Sequence, residues 1–257
     1  MTGDIQWHDA VDEKGHATRE FRITRQDKRD VTGALWLPDS KGQDNTLMCF
    51  GHGASGTRYQ APISYLAGRF ISEARVPVLS LDGPVHGLRK VGDGARGAFA
   101  PEFQRDECLD EMLDDWTCAL AQIQVLPEVG VGKLAYFGLS MGSIFGIPLV
   151  ASRDDVIVAT LGLFGVQPQF PHGEAFLDAA SNINCPLLFL MQLEDEIFDR
   201  EGYLKVFDTF SAKDKRMHAN PGLHPEIPAE EIDFAFQFLT NHINGTATRR
   251  IINPLAE

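Results

Sequence analysis

Ser140 stands in Gly138-Leu139-Ser140-Met141-Gly142, with a β-prone run over 134–137 before it and Ile144, Ile147 and Leu149 in an apolar run after it. This is the G-x-S-x-G pattern of a nucleophile elbow, in which small residues let a strand turn sharply into a helix and present one hydroxyl above the sheet. The chemistry it predicts is attack of the Ser140 oxygen on a carbonyl carbon. A serine hydroxyl at pH 7 is a weak nucleophile, so a base must lie within hydrogen-bond reach and a third group must fix that base's tautomer. The pentapeptide also arises by chance, and its weight comes from the strand and helix around it.

With an elbow of this kind the partners follow in the order serine, acid, histidine. The apolar run 187–191 reads as a strand, and Glu194-Asp195-Glu196 comes directly after it. Asp195 is the preferred acid, on the expectation that the flanking glutamates face solvent; Glu194, Glu196 and Asp199 are the alternatives. Further on, His218 falls inside a predicted strand, whereas His224 falls in the loop past its C-terminal end, where ligand-facing groups of open α/β sheets gather. Pro225 keeps His224 out of helical geometry. His224 is therefore the preferred base and His218 the alternative, while His8, His16, His172 and His242 lack a partner pattern and are expected in surface or structural roles. The oxyanion formed on attack needs preorganised donors. The N–H of Met141, just after the nucleophile, is one, and the N–H of Ala54 in the loop His52-Gly53-Ala54-Ser55 is chosen as the other; His52 is read as shaping that loop rather than as a second base.

Two glycine patterns offer a rival reading. Gly51-His52-Gly53-Ala54-Ser55-Gly56 and Gly92-Asp93-Gly94-Ala95-Arg96-Gly97 both satisfy G-x-G-x-x-G. The second follows no predicted strand and opens no apolar helix, so it lacks the context of a dinucleotide site. The first is separated from its helix by residues 57–62, so a pyrophosphate would not meet a helix N-terminus. Asp82, the candidate ribose acid, also lies further from Gly56 than the ~20-residue interval of such sites.

The elements that must position these residues alternate along the chain. Runs 18–24 and 31–37 flank a polar turn at 26–30 and read as an edge hairpin. Strands follow at 46–50, 76–81, 156–163, 186–191 and 215–219, separated by helices at about 63–74, 109–123, 174–180 and 203–210 and followed by one opening at Pro228. Residues 82–101 carry many glycines and are expected as a long functional loop. The acidic set Asp106, Glu107, Asp110, Glu111, Asp114 and Asp115 reads as a solvated helix face. Such alternation implies right-handed βαβ units, hence a mostly parallel sheet with helices on both faces. The space between 163 and 186 leaves no room for a large cap.

The 257 residues suit a single domain spanning 1–257, and the net charge of −13 opposes a nucleic acid or anionic membrane partner. Cys49, Cys108, Cys118 and Cys185 show no metal-ligand spacing, and no stretch resembles a signal peptide or a membrane span. The expectation is a cytoplasmic protein without metal or cofactor.

With the elbow, the His-Gly-Ala-Ser loop, Asp195 and His224 assembled, the chain resembles the α/β-hydrolase superfamily over about 30–245, and most closely its small dienelactone-hydrolase-like serine esterases. The resemblance implies an eight-stranded, mainly parallel sheet without a large cap, and acyl transfer through a covalent Ser140 ester of a small ester substrate. Dienelactone hydrolases proper use a cysteine where this chain has Ser140, so their lactone substrate is not carried over. Amidase, thioesterase and carbon–carbon hydrolase chemistry use the same parts, and a catalytically silent fold that binds a ligand is the alternative outside enzymes. The stretch Asp82-Gly83-Pro84-Val85-His86-Gly87-Leu88-Arg89 resembles a D-x-P-x-H-G-x-R loop of some relatives and is expected to brace the site wall through an Asp82–Arg89 pair. Phe99, Phe103, Phe164, Phe170 and Phe198 are expected to line an apolar pocket for a short acyl or aromatic ester.

Overall fold

In the computed structural model, which describes residues 4–248 apart from 27, 41, 43 and 44, alternating residues near the N-terminus pair with their neighbours in sequence. β1 (Asp4–Val11), β2 (Ala17–Thr24) and β3 (Val31–Trp36) form an antiparallel meander, with Trp7 opposite Phe21 and Phe21 opposite Gly33. The expected hairpin is present as β2 and β3, although Asp27 of its turn lies outside the described residues, as do the two ends of the expected 1–257 unit.

β1 was not expected, and it makes the sheet nine-stranded rather than eight-stranded. Its signal is weak because it is an edge strand covered on one face. Only Ile5 and Trp7 pack on the core, between exposed Asp4, Gln6 and His8, and the Arg19 guanidinium lies 4.3 Å over the Trp7 ring.

The remaining chain alternates as anticipated. β4 (Thr46–Gly51) leads to α1 (Ile63–Arg69), which continues as a π-helical turn to Ala74, and then to β5 (Val78–Leu81). α2 (Arg96–Phe103) and α3 (Cys108–Ile123) precede β6 (Lys133–Leu139), α4 (Met141–Ala151) and β7 (Val156–Gly162). α5 (Gly173–Ser181), β8 (Leu187–Gln192), α6 (Arg200–Thr209), β9 (Lys215–Asn220) and α7 (Ala229–Ile243) complete it. The order across the sheet is β1-β2-β3-β5-β4-β6-β7-β8-β9, antiparallel as far as β5 and parallel from there to β9. Strands covered on both faces read as continuous apolar runs, and β8, Leu-Leu-Phe-Leu-Met-Gln, is buried along its whole length. Leu66 and Phe70 of the α1 segment and Phe236 and Leu239 of α7 pack on one face; α3, α4, α5 and α6 cover the other with Trp116, Ile147, Phe176 and Val206. Among the described residues no large cap interrupts the sheet, and no helix is long and apolar enough to cross a membrane.

Two expectations change here. Residues 82–101 are not one loop, since α2 takes up their last six residues. Pro101 inside it and the glycines before it hide the helix from sequence reasoning, yet Phe99 and Phe103, one turn apart, anchor it in the core. The acidic face of α3 is only partly solvated. Asp115 is fully buried and receives Arg25, Arg29 (3.0 Å) and Arg89 (2.5 Å), while Asp114 pairs with Arg25 (2.7 Å) and Lys28 (2.8 Å). The periodic acidic stripe could not reveal that three arginines from distant segments converge on one of its members.

Candidate active site

β6 delivers the nucleophile candidate. Ser140 takes φ 58° and ψ −119° between the end of β6 and the first turn of α4, a backbone region that costs a non-glycine residue of order 1–3 kcal/mol and persists only where the surroundings impose it. Gly142 permits the turn, because a Cβ there would fall on the Gly51 carbonyl oxygen of β4. The Ser140 N–H donates to Gly162 O (3.0 Å), and the Tyr136 hydroxyl donates to Gly142 O (2.7 Å). The strained serine is thus pinned to β7, with its neighbours packed against β4.

The C-terminal ends of β8 and β9 bring the other two candidates to it. His224 Nε2 lies 2.9 Å from Ser140 Oγ, and His224 Nδ1 lies 2.7 Å from Asp195 Oδ2. Asp195 Oδ1 accepts the N–H groups of Ile197 (2.7 Å) and Phe198 (3.0 Å), and Oδ2 also accepts the Tyr203 hydroxyl. Burial raises the Asp195 pKa, but the hydrogen bonds from His224, Tyr203 and the two backbone donors outweigh it and hold the carboxyl below its ordinary value. An acid carrying so many donors stays ionised and keeps the His224 proton on Nδ1, which leaves Nε2 free to accept from a serine hydroxyl.

The alternatives are occupied elsewhere. Asp199 caps α6 by accepting the Gly202 N–H (2.6 Å), and His218 pairs with Glu231 (2.7 Å). Glu194 and Glu196 do not simply face solvent as expected. Glu194 accepts the Gly222 N–H and Glu196 the His224 N–H (2.9 Å), so both tie the acid loop to the histidine loop. No sequence signal announces the two glutamate bonds, because each joins loops that meet only once β8 and β9 are paired, or the Tyr203 bond, which reaches back from α6 to the acid loop.

On the opposite side of Ser140 lies the loop after β4. Its Ala54 borders the same cavity as Ser140 and His224, and its N–H makes no hydrogen bond among the described residues. Met141 opens α4, so its N–H is one of the helix N-terminal donors without an intrahelical partner. His52 is buried and serves the loop, as expected. Its Nε2 accepts the Gly83 N–H (2.8 Å) and its Nδ1 lies 2.7 Å from Gly53 O. Burial first, and then the neighbouring His86, push its pKa down to about 4.

The loop after β5 is braced, but not by the expected Asp82–Arg89 pair. Asp82 is paired with Arg58 (3.0 Å) and accepts from Thr32 (2.7 Å), while the Arg89 guanidinium reaches Asp115 and donates to the backbone carbonyls of Asp82 and Gly83. Arg58 has no pattern around it that would have suggested the role. Of the two glycine patterns, the first ends far from α1, and the second runs into α2 with no strand entering it.

The cavity beside Ser140 has a volume of about 230 Å³, and its apolar wall includes Pro62, Ile63, Leu139, Leu163, Ile227 and Ile232. Ser55, Gln60 and Arg96 supply the polar edge. None of the five phenylalanines expected to line it does so. Phe99 and Phe103 stack at 5.5 Å, and Phe164, Phe170 and Phe198 contact one another at 5.5–5.8 Å, which makes them a packed aromatic layer. Only Phe198 touches the site, with its ring 5.8 Å from that of His224.

Comparison with known proteins agrees with this architecture. The family model of the dienelactone hydrolase family matches residues 95–221, a segment that contains Ser140 and Asp195 and stops short of His224. A novel cold-adapted esterase from an Arctic intertidal metagenomic library is 27% identical, with 92% of this chain and 99% of that one covered and a TM-score of 0.75. Two more distant structures share the fold: an acetyl xylan esterase from Paenibacillus sp. R4 (15% identity, 93% and 89% covered, TM-score 0.69) and Est1E from Butyrivibrio proteoclasticus with ferulic acid bound (15%, 84% and 96%, 0.65). A comparison with curated protein sequences finds no match. The chain has the α/β-hydrolase fold, and its residues 95–221 are similar to the dienelactone hydrolase family.

Proposed function

We propose that the protein is a serine hydrolase that cleaves carboxylic esters of small, largely apolar substrates through a covalent acyl-enzyme. The observation that carries this reading is the unbroken hydrogen-bond chain from Asp195 through His224 to Ser140 at the wall of a cavity. In the proposed reaction the Ser140 oxygen attacks the carbonyl carbon while His224 Nε2 takes its proton, and the Ala54 and Met141 N–H groups hold the resulting oxyanion. Collapse breaks the bond to the alcohol, which leaves with the proton from His224. Water then attacks the acyl-enzyme with His224 again as base, and the carboxylic acid departs. Asp195 stays ionised throughout and stabilises the imidazolium.

The substrate class follows from the cavity, whose volume of about 230 Å³ falls below the ~300–1,000 Å³ of drug-sized sites. A short acyl chain or a small aromatic ring fits that space and its aliphatic wall. The similarity of residues 95–221 to the dienelactone hydrolase family and of the whole chain to the cold-adapted esterase support ester hydrolysis as the reaction.

A fluorophosphonate tests the proposal. Mass spectrometry should place the adduct on Ser140, and His224→Ala should slow its formation by several orders of magnitude. Labelling at another residue, or unchanged labelling in His224→Ala, would refute it.

A further inference from the structure

Two buried histidines outside the Asp195–His224–Ser140 chain grip consecutive carbonyls of one short loop. His52 Nδ1 lies 2.7 Å from the Gly53 carbonyl oxygen, and His86 Nε2 lies 3.0 Å from that of Ala54. Their rings are 5.0 Å apart and nearly perpendicular. His86 comes from the loop after β5, and His52 in turn accepts the N–H of Gly83 in that same loop. Each loop therefore offers one imidazole to the backbone of the other.

The partners fix both tautomers. Gly83 N–H can only donate, so His52 Nε2 is bare and its proton sits on Nδ1, directed at Gly53 O. Ala54 O can only accept, so the His86 proton sits on Nε2, and His86 Nδ1 is left bare and without a partner among the described residues. Both rings are buried, and burial holds the pKa of each below the ordinary imidazole value, so the two clamps are neutral. Asp82 and Arg89, whose charges act on both rings, are themselves tied to Arg58 and Asp115.

In a trans peptide unit the C=O and N–H point in opposite directions. The carbonyl of Gly53 and the N–H of Ala54 belong to one such unit, so drawing Gly53 O toward His52 turns the Ala54 N–H the other way. A hydrogen bond at the carbonyl also polarises the unit and strengthens its N–H as a donor. His86 fixes the next unit, which prevents the first from rotating. Gly83 must be glycine for the brace to close, because a Cβ there would lie 2.8 Å from His86 Nδ1 and 2.6 Å from Met141 Cε.

We infer that His52 and His86 are positioning residues that together aim the Ala54 N–H at the developing oxyanion. The inference rests on the oxyanion role proposed above for Ala54.

The test measures p-nitrophenyl acetate and its thiono analogue, in which sulfur replaces the carbonyl oxygen, with the unsubstituted protein and two variants. His86→Leu fills the space without a donor; His86→Gln can donate a side-chain N–H to Ala54 O. His86→Leu should lower kcat by about 10- to 100-fold with KM unchanged, less than the ~10²- to 10³-fold expected for losing an oxyanion donor outright. Its preference for the oxygen ester over the thiono ester should shrink by a similar factor, since a misaimed donor no longer distinguishes O⁻ from S⁻. His86→Gln should recover most of both. Should His86→Leu fail to fold, His86→Asn, polar but too short to reach Ala54 O, must show the same two losses. Unchanged kcat and oxygen preference in the non-donating variant, or equal impairment in His86→Gln, would overturn the inference. Absence of fluorophosphonate labelling at Ser140 in the unsubstituted protein would instead remove the reading on which it rests.

Discussion

The two flanks of Ser140 are held in contrasting ways. On the acid–base flank, exposed carboxylates grip backbone N–H groups. Glu194 holds Gly222, Glu196 holds His224 and Glu226 holds Leu223. On the donor flank the grips are buried. Neutral His52 and His86 hold Gly53 and Ala54, and behind them Arg58 pairs with Asp82 and Arg89 with Asp115. In the proposed reaction the buried His224 gains and loses a proton in every cycle, and the ionised Asp195 beside it stabilises its positive charge. The Ala54 N–H changes neither charge nor position, and it benefits from a dry, rigid seat whose dipole is aligned before the substrate arrives.

The contrast breaks most visibly at Asp195. Asp195→Asn should reduce kcat by about 10⁴-fold, because an amide N–H facing His224 Nδ1 favours the tautomer whose Nε2 already carries a proton. The melting temperature should change little, since the Asn Oδ1 can still accept the Ile197 and Phe198 N–H groups and the amide N–H standing at the Oδ2 position can donate to the Tyr203 hydroxyl oxygen. A loss of less than tenfold in initial-rate measurements would show that the acid does not set the tautomer.

Next in size is a comparison of one grip from each flank by urea denaturation. Asp115→Ala takes the buried carboxylate from Arg25, Arg29 and Arg89, leaving Arg89 without an ion-pair partner among the described residues, and removing one partner of such a cluster costs about 3–5 kcal/mol. Turnover should fall as well, because Arg89 holds the Asp82 and Gly83 carbonyls of the turn that braces His52. Glu196→Gln, an exposed change on the other flank, should leave the urea midpoint unmoved. Equal sensitivity of the two variants would abolish the distinction between the flanks.

The same division governs what the sequence could reveal. Local patterns made Ser140, Asp195 and His224 legible, because each sits at a strand end and strands announce themselves as short apolar runs. The parallel part of the sheet was legible for the same reason. β1 was not, since an edge strand with one wet face shows only Ile5 and Trp7 against a polar background. The buried braces were hidden more deeply. Asp115 looks like any acidic member of an α3 stripe, and His86 like any loop histidine, until β5 lies between β3 and β4 and brings their partners within reach. The five phenylalanines misled for a related reason. Aromatic residues near strand ends can line a cavity or close a layer, and only the packing between Phe164, Phe170 and Phe198 decides which.

The smallest expected effect is also the one that separates the flanks by pH. Burial holds His52 at about 4 in the folded protein, against an ordinary value of 6.5, and lowers His86 as well. Once unfolded, these imidazoles bind protons that the fold excludes. Between pH 6.5 and about 4 the unfolded chain is therefore the more protonated state, and stability must fall as the pH falls, by ~1.4 kcal/mol per unit for each such group. The carboxylates of the other flank behave differently. Asp195 and Glu196 lie below their ordinary values of 3.8 and 4.5, so what they contribute is intact above those values and is lost only as the pH drops through the lowered ones. The urea midpoint should accordingly decline from pH 6.5 to 4.5, down to the upper edge of carboxylate titration, by an amount worth about 2 kcal/mol for His52 alone. A midpoint that holds level down to pH 4.5 and collapses only below it would assign the acid sensitivity to the carboxylate flank and leave the donor loop without its neutral clamp.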